Sequence, residues 1–230
     1  MHERNIAHRY ARVFVRELLL RTSPRDCTAN NIMLDPSGMY PEGFHPIQIN
    51  RRRDFRGRAK RFTRTLQPTR YYLIDFGLSR RYNSRNALDQ PIRGGDKSAP
   101  EHQRGTLCNP FHTDIYYLGN LVRERFLKVR QDVQTLVGYA AYAIYQLYNG
   151  FEFMVGLVDA MTDENPAERP TIETVISRFS YIRDSLSEFK LRCLITAKRD
   201  PRLVTSYRYA RQVVRTAEYI ILKKAAIPYA

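Results

Sequence analysis

Arg25-Asp26-Cys27-Thr28-Ala29-Asn30-Asn31-Ile32-Met33-Leu34-Asp35 is the stretch on which the fold turns. Asp26 and Asn31 stand five positions apart, close enough on a tight loop to turn both polar ends into one cavity. The run 31–35 (NIMLD) is apolar, ends in Asp and reads as a short strand. A second run of the same design, 71–75 (YYLID), leads directly into Phe76-Gly77. Taken singly, Asp26 and Asn31 read as turn residues and Asp75 as a strand end. Taken together, they offer a base and two oxygen ligands. Mg²⁺ accepts a few protein oxygens and completes its shell with phosphate oxygens and water. Phosphoryl transfer needs one carboxylate to orient the attacking hydroxyl and accept its proton, and further oxygens to hold the metal.

The rest of the chain reads outward from these two runs. Residues 36–70 are rich in Pro, Gly and Arg and include Arg51-Arg52-Arg53-Asp54-Phe55-Arg56-Gly57-Arg58, so composition makes them a basic loop. From Asp114 the pattern turns helical, with Ile115, Leu118, Leu121, Val122 and Phe126 near one face. Residues 151–162 and 171–188 are further helices, separated by DENPAERP, and Thr171 is the expected N-cap of the second. A last basic helix is expected from about 205 to 224. The expected class is α+β, mainly α-helical, with a few short strands.

In this order the motifs resemble the C-terminal lobe of the eukaryotic protein kinase family. The match consists of RDxxxxN at 25–31, Asp75-Phe76-Gly77, Ala99-Pro100-Glu101, Asp114-Ile115-Tyr116-Tyr117-Leu118-Gly119 and the late Arg169-Pro170. It covers residues 1–190, leaving 191–230 as a basic helical extension. The resemblance implies Asp26 as catalytic base with Arg25 and Asn31 in the same loop. It implies Asn31, Asp75, Phe76 and Gly77 around ATP, and Asn31 and Asp75 as Mg²⁺ ligands. It also implies an ion pair between Arg169 and Glu101.

Two places interrupt the resemblance. His8-Arg9 looks like the start of a His-Arg-Asp phrase whose Asp arrives only after the sixteen residues from Tyr10 to Arg25. Either 10–25 is an insertion, such as a retained intron translated in frame, or ARVFVRELLL is the helix preceding the loop and Pro24 replaces the histidine. Residues 129–150 are read as a second insertion between two helices. The 230 residues also contain no Gly-rich loop and no VAIK lysine, the parts that in the family belong to an N-terminal lobe. Thr28 stands where many serine/threonine kinases carry lysine. Little or no transfer is therefore expected of this chain alone. The would-be activation segment carries Ser79, Ser84 and Ser98, and Arg25, Arg80, Arg81 and Arg85 as groups able to pair with a phosphate.

Composition bounds the alternatives. The three cysteines, Cys27, Cys108 and Cys193, are far apart in sequence, which argues against zinc or disulfide scaffolds and for an intracellular setting, cytoplasmic or nuclear. The longest apolar run, 136–148, is too short for a membrane span, and no membrane partner is expected. The net charge of +15 suggests acidic or phosphorylated partners beside a protein substrate. Two other readings stand beside the enzyme. One is a pseudokinase or truncated scaffold that binds protein partners. The other, a basic nucleic-acid module built on 51–64 with Phe55 and Phe62, is disfavoured because no RRM, KH or zinc signature accompanies it.

Overall fold

The computed structural model describes residues 22–23, 27–63, 66–67, 69–91, 96–127, 148–197 and 200–226. Arg25 and Asp26 lie outside the described residues, as do 10–21 of the first suspected insertion and 129–147 of the second. The described part is α+β and mainly helical, with strands of two or three residues.

The strands form three small antiparallel pairs. β1 (Thr22–Ser23) pairs with β4 (Arg80–Arg81). β2 (Ile32–Leu34) pairs with β3 (Tyr71–Leu73), Ile32 opposite Leu73 and Leu34 opposite Tyr71. β5 (Tyr148–Asn149) pairs with β6 (Thr196–Ala197). The first and third pairs bear on the suspected insertions. Thr22 and Ser23 fall within 10–25 yet supply a partner strand to Arg80–Arg81. Tyr148 and Asn149 fall within 129–150 yet tie the chain to the C-terminal extension. These four backbone positions are part of the architecture.

The described residues of 36–70 form the expected loop, and their backbone is held by turns of their own. Tyr40 N–H donates to Pro36 O, Ala59 N–H to Asn50 O and Phe62 N–H to Met39 O. Helix α1 (Pro100–Arg104) is a single turn ended by Gly105 at φ 63, where the backbone turns left-handed. Helix α2 (Pro110–Val122) starts four residues before Asp114, because Asn109 caps it and Pro110 sits at its first position. The Asn109 carboxamide oxygen accepts from Phe111 N–H at 3.0 Å. A π-helical turn, Arg123–Leu127, extends it.

After β5, helix α3 (Val155–Met161) crosses α2, and Gly119 marks the crossing. A Cβ at Gly119 would lie 2.7 Å from Met161 Cβ and 2.8 Å from Thr162 Cγ2, so only glycine admits this approach. Helix α4 (Ile172–Ser185) begins where the sequence indicates: Thr171 Oγ1 accepts from Thr174 N–H. It stops earlier than expected, since Ser187 caps a separate short helix, α5 (Glu188–Arg192). The main apolar core lies between α2, α3 and α4: Ile115, Leu127, Met154, Leu157, Val158, Met161 and Val175. Helix α6 (Arg202–Ile221) completes the described chain. It is tied to the basic loop by a 2.5 Å hydrogen bond between Tyr219 Oη and Thr63 Oγ1, and to α5 by Gln212 Nε2 donating to Arg192 O at 2.8 Å.

Candidate functional site

The β2–β3 hairpin positions two of the expected ligands. Asn31 closes a short 3-10 turn, Ala29–Asn31, immediately before β2, and Asp75 follows β3 by two residues. Because the strands are antiparallel, the start of one faces the end of the other. Ile74 N–H donates to Asn31 O at 2.9 Å, extending the ladder by one bond beyond the strands. Asn31 and Asp75 thus leave the same end of the hairpin, although 44 positions separate them in sequence. Asn31 is buried and Asp75 exposed.

The backbone at Asp75 has φ 58, the left-handed region that Asp and Asn enter more readily than most residues. Asp75 Oδ1 accepts from Gly77 N–H at 3.3 Å. Phe76 is exposed, and its carbonyl accepts from Ser79 N–H. The turn Asp75–Ser79 is therefore self-bonded, with the carboxylate and the Phe76 ring at the surface. Two oxygen donors suit a hard cation that draws most of its shell from phosphate and water. Among the described residues no group of three His, Cys, Asp or Glu forms a self-contained metal site.

The residue after Asp26 shows how the loop is held. Cys27 is 1% exposed and packs with Ala99, Tyr116 and Tyr117. One small cluster thus joins the loop, the Ala99-Pro100-Glu101 corner and the middle of α2. Tyr116 Oη donates to Ser98 O at 3.0 Å and accepts from Arg123 Nη2 at 3.0 Å. The guanidinium of Arg169 stacks over the Tyr116 ring at 4.8 Å.

The expected Arg169–Glu101 pair is present and almost wholly enclosed, with side chains 0% and 2% exposed. It is bidentate: Arg169 Nη1 donates to Glu101 Oε1 at 2.7 Å and Nη2 to Oε2 at 2.9 Å. Arg169 also donates through Nε to Asp163 O at 2.8 Å and through Nη1 to His112 O at 3.1 Å. Thr113 Oγ1 adds a 2.7 Å bond to Glu101 Oε1. Burial alone would raise the Glu101 pKa, but the hydrogen bonds from Arg169 and Thr113 outweigh it and hold the carboxyl below its ordinary range. Next to it, burial lowers the His102 pKa against the pull of Glu101 and Asp96. His102 Nε2 and Tyr117 Oη share a 2.5 Å hydrogen bond, and burial first, then the Asp114 charge, pushes the Tyr117 pKa upward.

Two of the arginines considered for phosphate already have carboxylate partners. Arg80 Nη1 lies 3.1 Å from Asp89 Oδ2, which also accepts from Tyr82 Oη at 2.7 Å. Arg85 Nη1 lies 2.7 Å from Glu173 Oε1. Ser84 Oγ accepts from Asn86 N–H, and Ser98 Oγ from Asn120 Nδ2. In the basic loop, Phe55 meets the ring of His45 edge-on at 4.7 Å and carries the Arg51 guanidinium over its face at 5.8 Å.

Sequence reasoning missed Thr113, Asn120 and Arg123, which hold the Glu101 and Tyr116 groups in place. Their signal was position alone: Thr113 precedes Asp114, and Tyr116, Asn120 and Arg123 follow at helical spacing. Comparison of the chain with protein-family models, curated proteins and solved structures returned no match.

Proposed function

We propose that this chain is a protein kinase-like phosphotransferase lobe acting on a protein hydroxyl. The observation that carries the reading is the hairpin end that brings Asn31 and Asp75 together, one bond beyond the β2–β3 ladder. The enclosed Arg169–Glu101 pair and the anchoring of Cys27 beside Ala99 and Tyr116 support it. Asp26 is assigned the base that accepts the substrate hydroxyl proton, with Arg25 beside it in the loop. Asn31 and Asp75 would hold Mg²⁺, and Phe76 and Gly77 would border the nucleotide. Bound Mg-ATP supplies the transferable phosphoryl group and the cation that offsets its developing charge. What the chain adds is orientation, and without covering groups orientation is weak. The 230 residues hold no Gly-rich loop or VAIK lysine, so slow transfer is expected of them alone.

The second reading, a kinase-like scaffold that binds acidic or phosphorylated protein partners, is favoured by one observation: Asp75 and Phe76 are exposed and engaged mainly by their own turn. Thermal unfolding with and without Mg-ATP separates the two. The phosphotransferase reading expects Mg²⁺-dependent stabilisation by ATP that is lost in Asp75→Asn. It also expects any ³²P transfer from ATP to disappear in Asp26→Asn. No stabilisation at millimolar Mg-ATP, or transfer indifferent to Asp26, refutes it.

A further inference from the structure

Helix α6 faces the wrong way for a helix that only caps a core. Of its twenty residues only Tyr219 is buried. Gln212 and Tyr219, seven positions apart, make its hydrogen bonds to Arg192 and Thr63, so the stripe turned to the body is largely polar. The opposite stripe is apolar and open. Leu203, Tyr207, Ala210, Val214, Ala217 and Ile221 recur at spacings of four and three. Leu203 is 86% exposed, Tyr207 68%, Val214 69% and Ile221 78%. At 1.5 Å per residue the stripe from 203 to 221 is about 27 Å long.

The flanks supply the charge. From Asp200 to Lys224 there are six basic residues and two acids, Asp200 and Glu218. Arg211 lies beside the apolar stripe with Glu218, Arg202 opens the helix, and Lys223 and Lys224 follow its end, whereas Arg208 is held by Asp200 at 2.5 Å and Arg215 is half-buried toward the body. An apolar ridge with basic residues at both ends and Arg211 on one side fits a flat, anionic, partly apolar surface. Tyr207 and Tyr209 add rings with a polar tip, the kind of side chain that settles at the level of lipid headgroups. A second copy of the chain fits poorly, since each copy carries +15 and would set these basic flanks against each other.

We propose that α6 is an interfacial helix that lies flat on an anionic lipid surface, its Leu203–Tyr207–Val214–Ile221 stripe entering the acyl boundary and Arg202, Arg211, Lys223 and Lys224 meeting the headgroups. The expectation of no membrane partner came from span length, which does not bear on a helix lying in the plane. Among the described residues no helix is long and apolar enough to cross a membrane, as an in-plane role requires of none.

Flotation of the full chain with vesicles tests this. The intact chain should float with phosphatidylcholine vesicles containing about one third phosphatidylserine and stay behind with phosphatidylcholine alone. Tyr207→Ser/Val214→Ser alters no charge and touches no buried contact, so helix content by circular dichroism should hold while partitioning falls about tenfold or more. Ile47→Ser/Ile49→Ser removes exposed apolar groups elsewhere and should change partitioning less than twofold. Absence of flotation overturns the proposal. So does equal binding by all three proteins, which would mean attraction by net charge alone. A dimer dispersed by Tyr207→Ser/Val214→Ser, with vesicle binding unchanged, would assign the stripe to a second copy and overturn it as well.

Discussion

Replacing Arg169 by methionine tests the enclosed pair most directly. In the intact protein Glu101 accepts three hydrogen bonds from side chains, two from Arg169 and one from Thr113. Arg169→Met leaves the carboxylate with Thr113 and a backbone N–H, and removes the Arg169 donors to His112 O and Asp163 O. Enclosure at 0% and 2% exposure denies water to both groups. Breaking one partner of such a pair costs about 3–5 kcal/mol, a large share of a total stability of roughly 5–15 kcal/mol. Urea unfolding followed by circular dichroism reads the loss. The pH profile gives an independent check. A carboxyl held below its ordinary value favours the folded state above that value, and the contribution is lost as pH falls through the lowered pKa. Stability of the intact protein should therefore drop as pH falls below about 4.5, and this drop should shrink in Arg169→Met. Glu101→Leu/Arg169→Met removes both charges and should lose less than Arg169→Met alone. A loss under about 1 kcal/mol in Arg169→Met, or a double variant less stable than the single, would refute the reasoning.

Three further outcomes follow from particular contacts. Gly119→Ala should destabilise by about 1–3 kcal/mol in the same urea assay, because its Cβ would overlap Met161 and Thr162 between packed helices. Tyr219→Phe deletes the bond to Thr63 and should cost about 1 kcal/mol, read as a lower unfolding midpoint. His102 has a pKa held below its ordinary 6.5 by burial, so its contribution is complete above that value and is lost as pH falls through the lowered pKa. His102→Gln should flatten the stability profile just below pH 6.5, as measured by thermal unfolding across pH.

Some of the molecule was legible in residue order because the signal is local. Thr171 followed by an apolar period at Ile172, Val175 and Ile176 specifies a capped helix wherever it packs. The strands at 32–34 and 71–73 were legible from short apolar runs, and the Pro- and Arg-rich stretch between them read as a loop. The start of α2 was less so, since Asn109-Pro110 is a helix start only once Asn109 turns its side chain onto Phe111 N–H. The short strand Thr22–Ser23 gave no signal at all, because two residues become a strand only when Arg80–Arg81 lies alongside.

By itself the sequence determined the order of elements, the basic loop and the chemical types available at Asn31, Asp75, Glu101 and Arg169. The resemblance already implied that Arg169 pairs with Glu101, but three arrangements were realised only by the tertiary structure. It brought Asn31 beside Asp75 through an antiparallel register, sealed Arg169 onto Glu101 across 68 positions, and turned the apolar stripe of α6 outward. The reason is range. Capping and periodicity act over a few residues of one segment, whereas register, enclosure and the facing of a helix depend on which distant segments exclude water together.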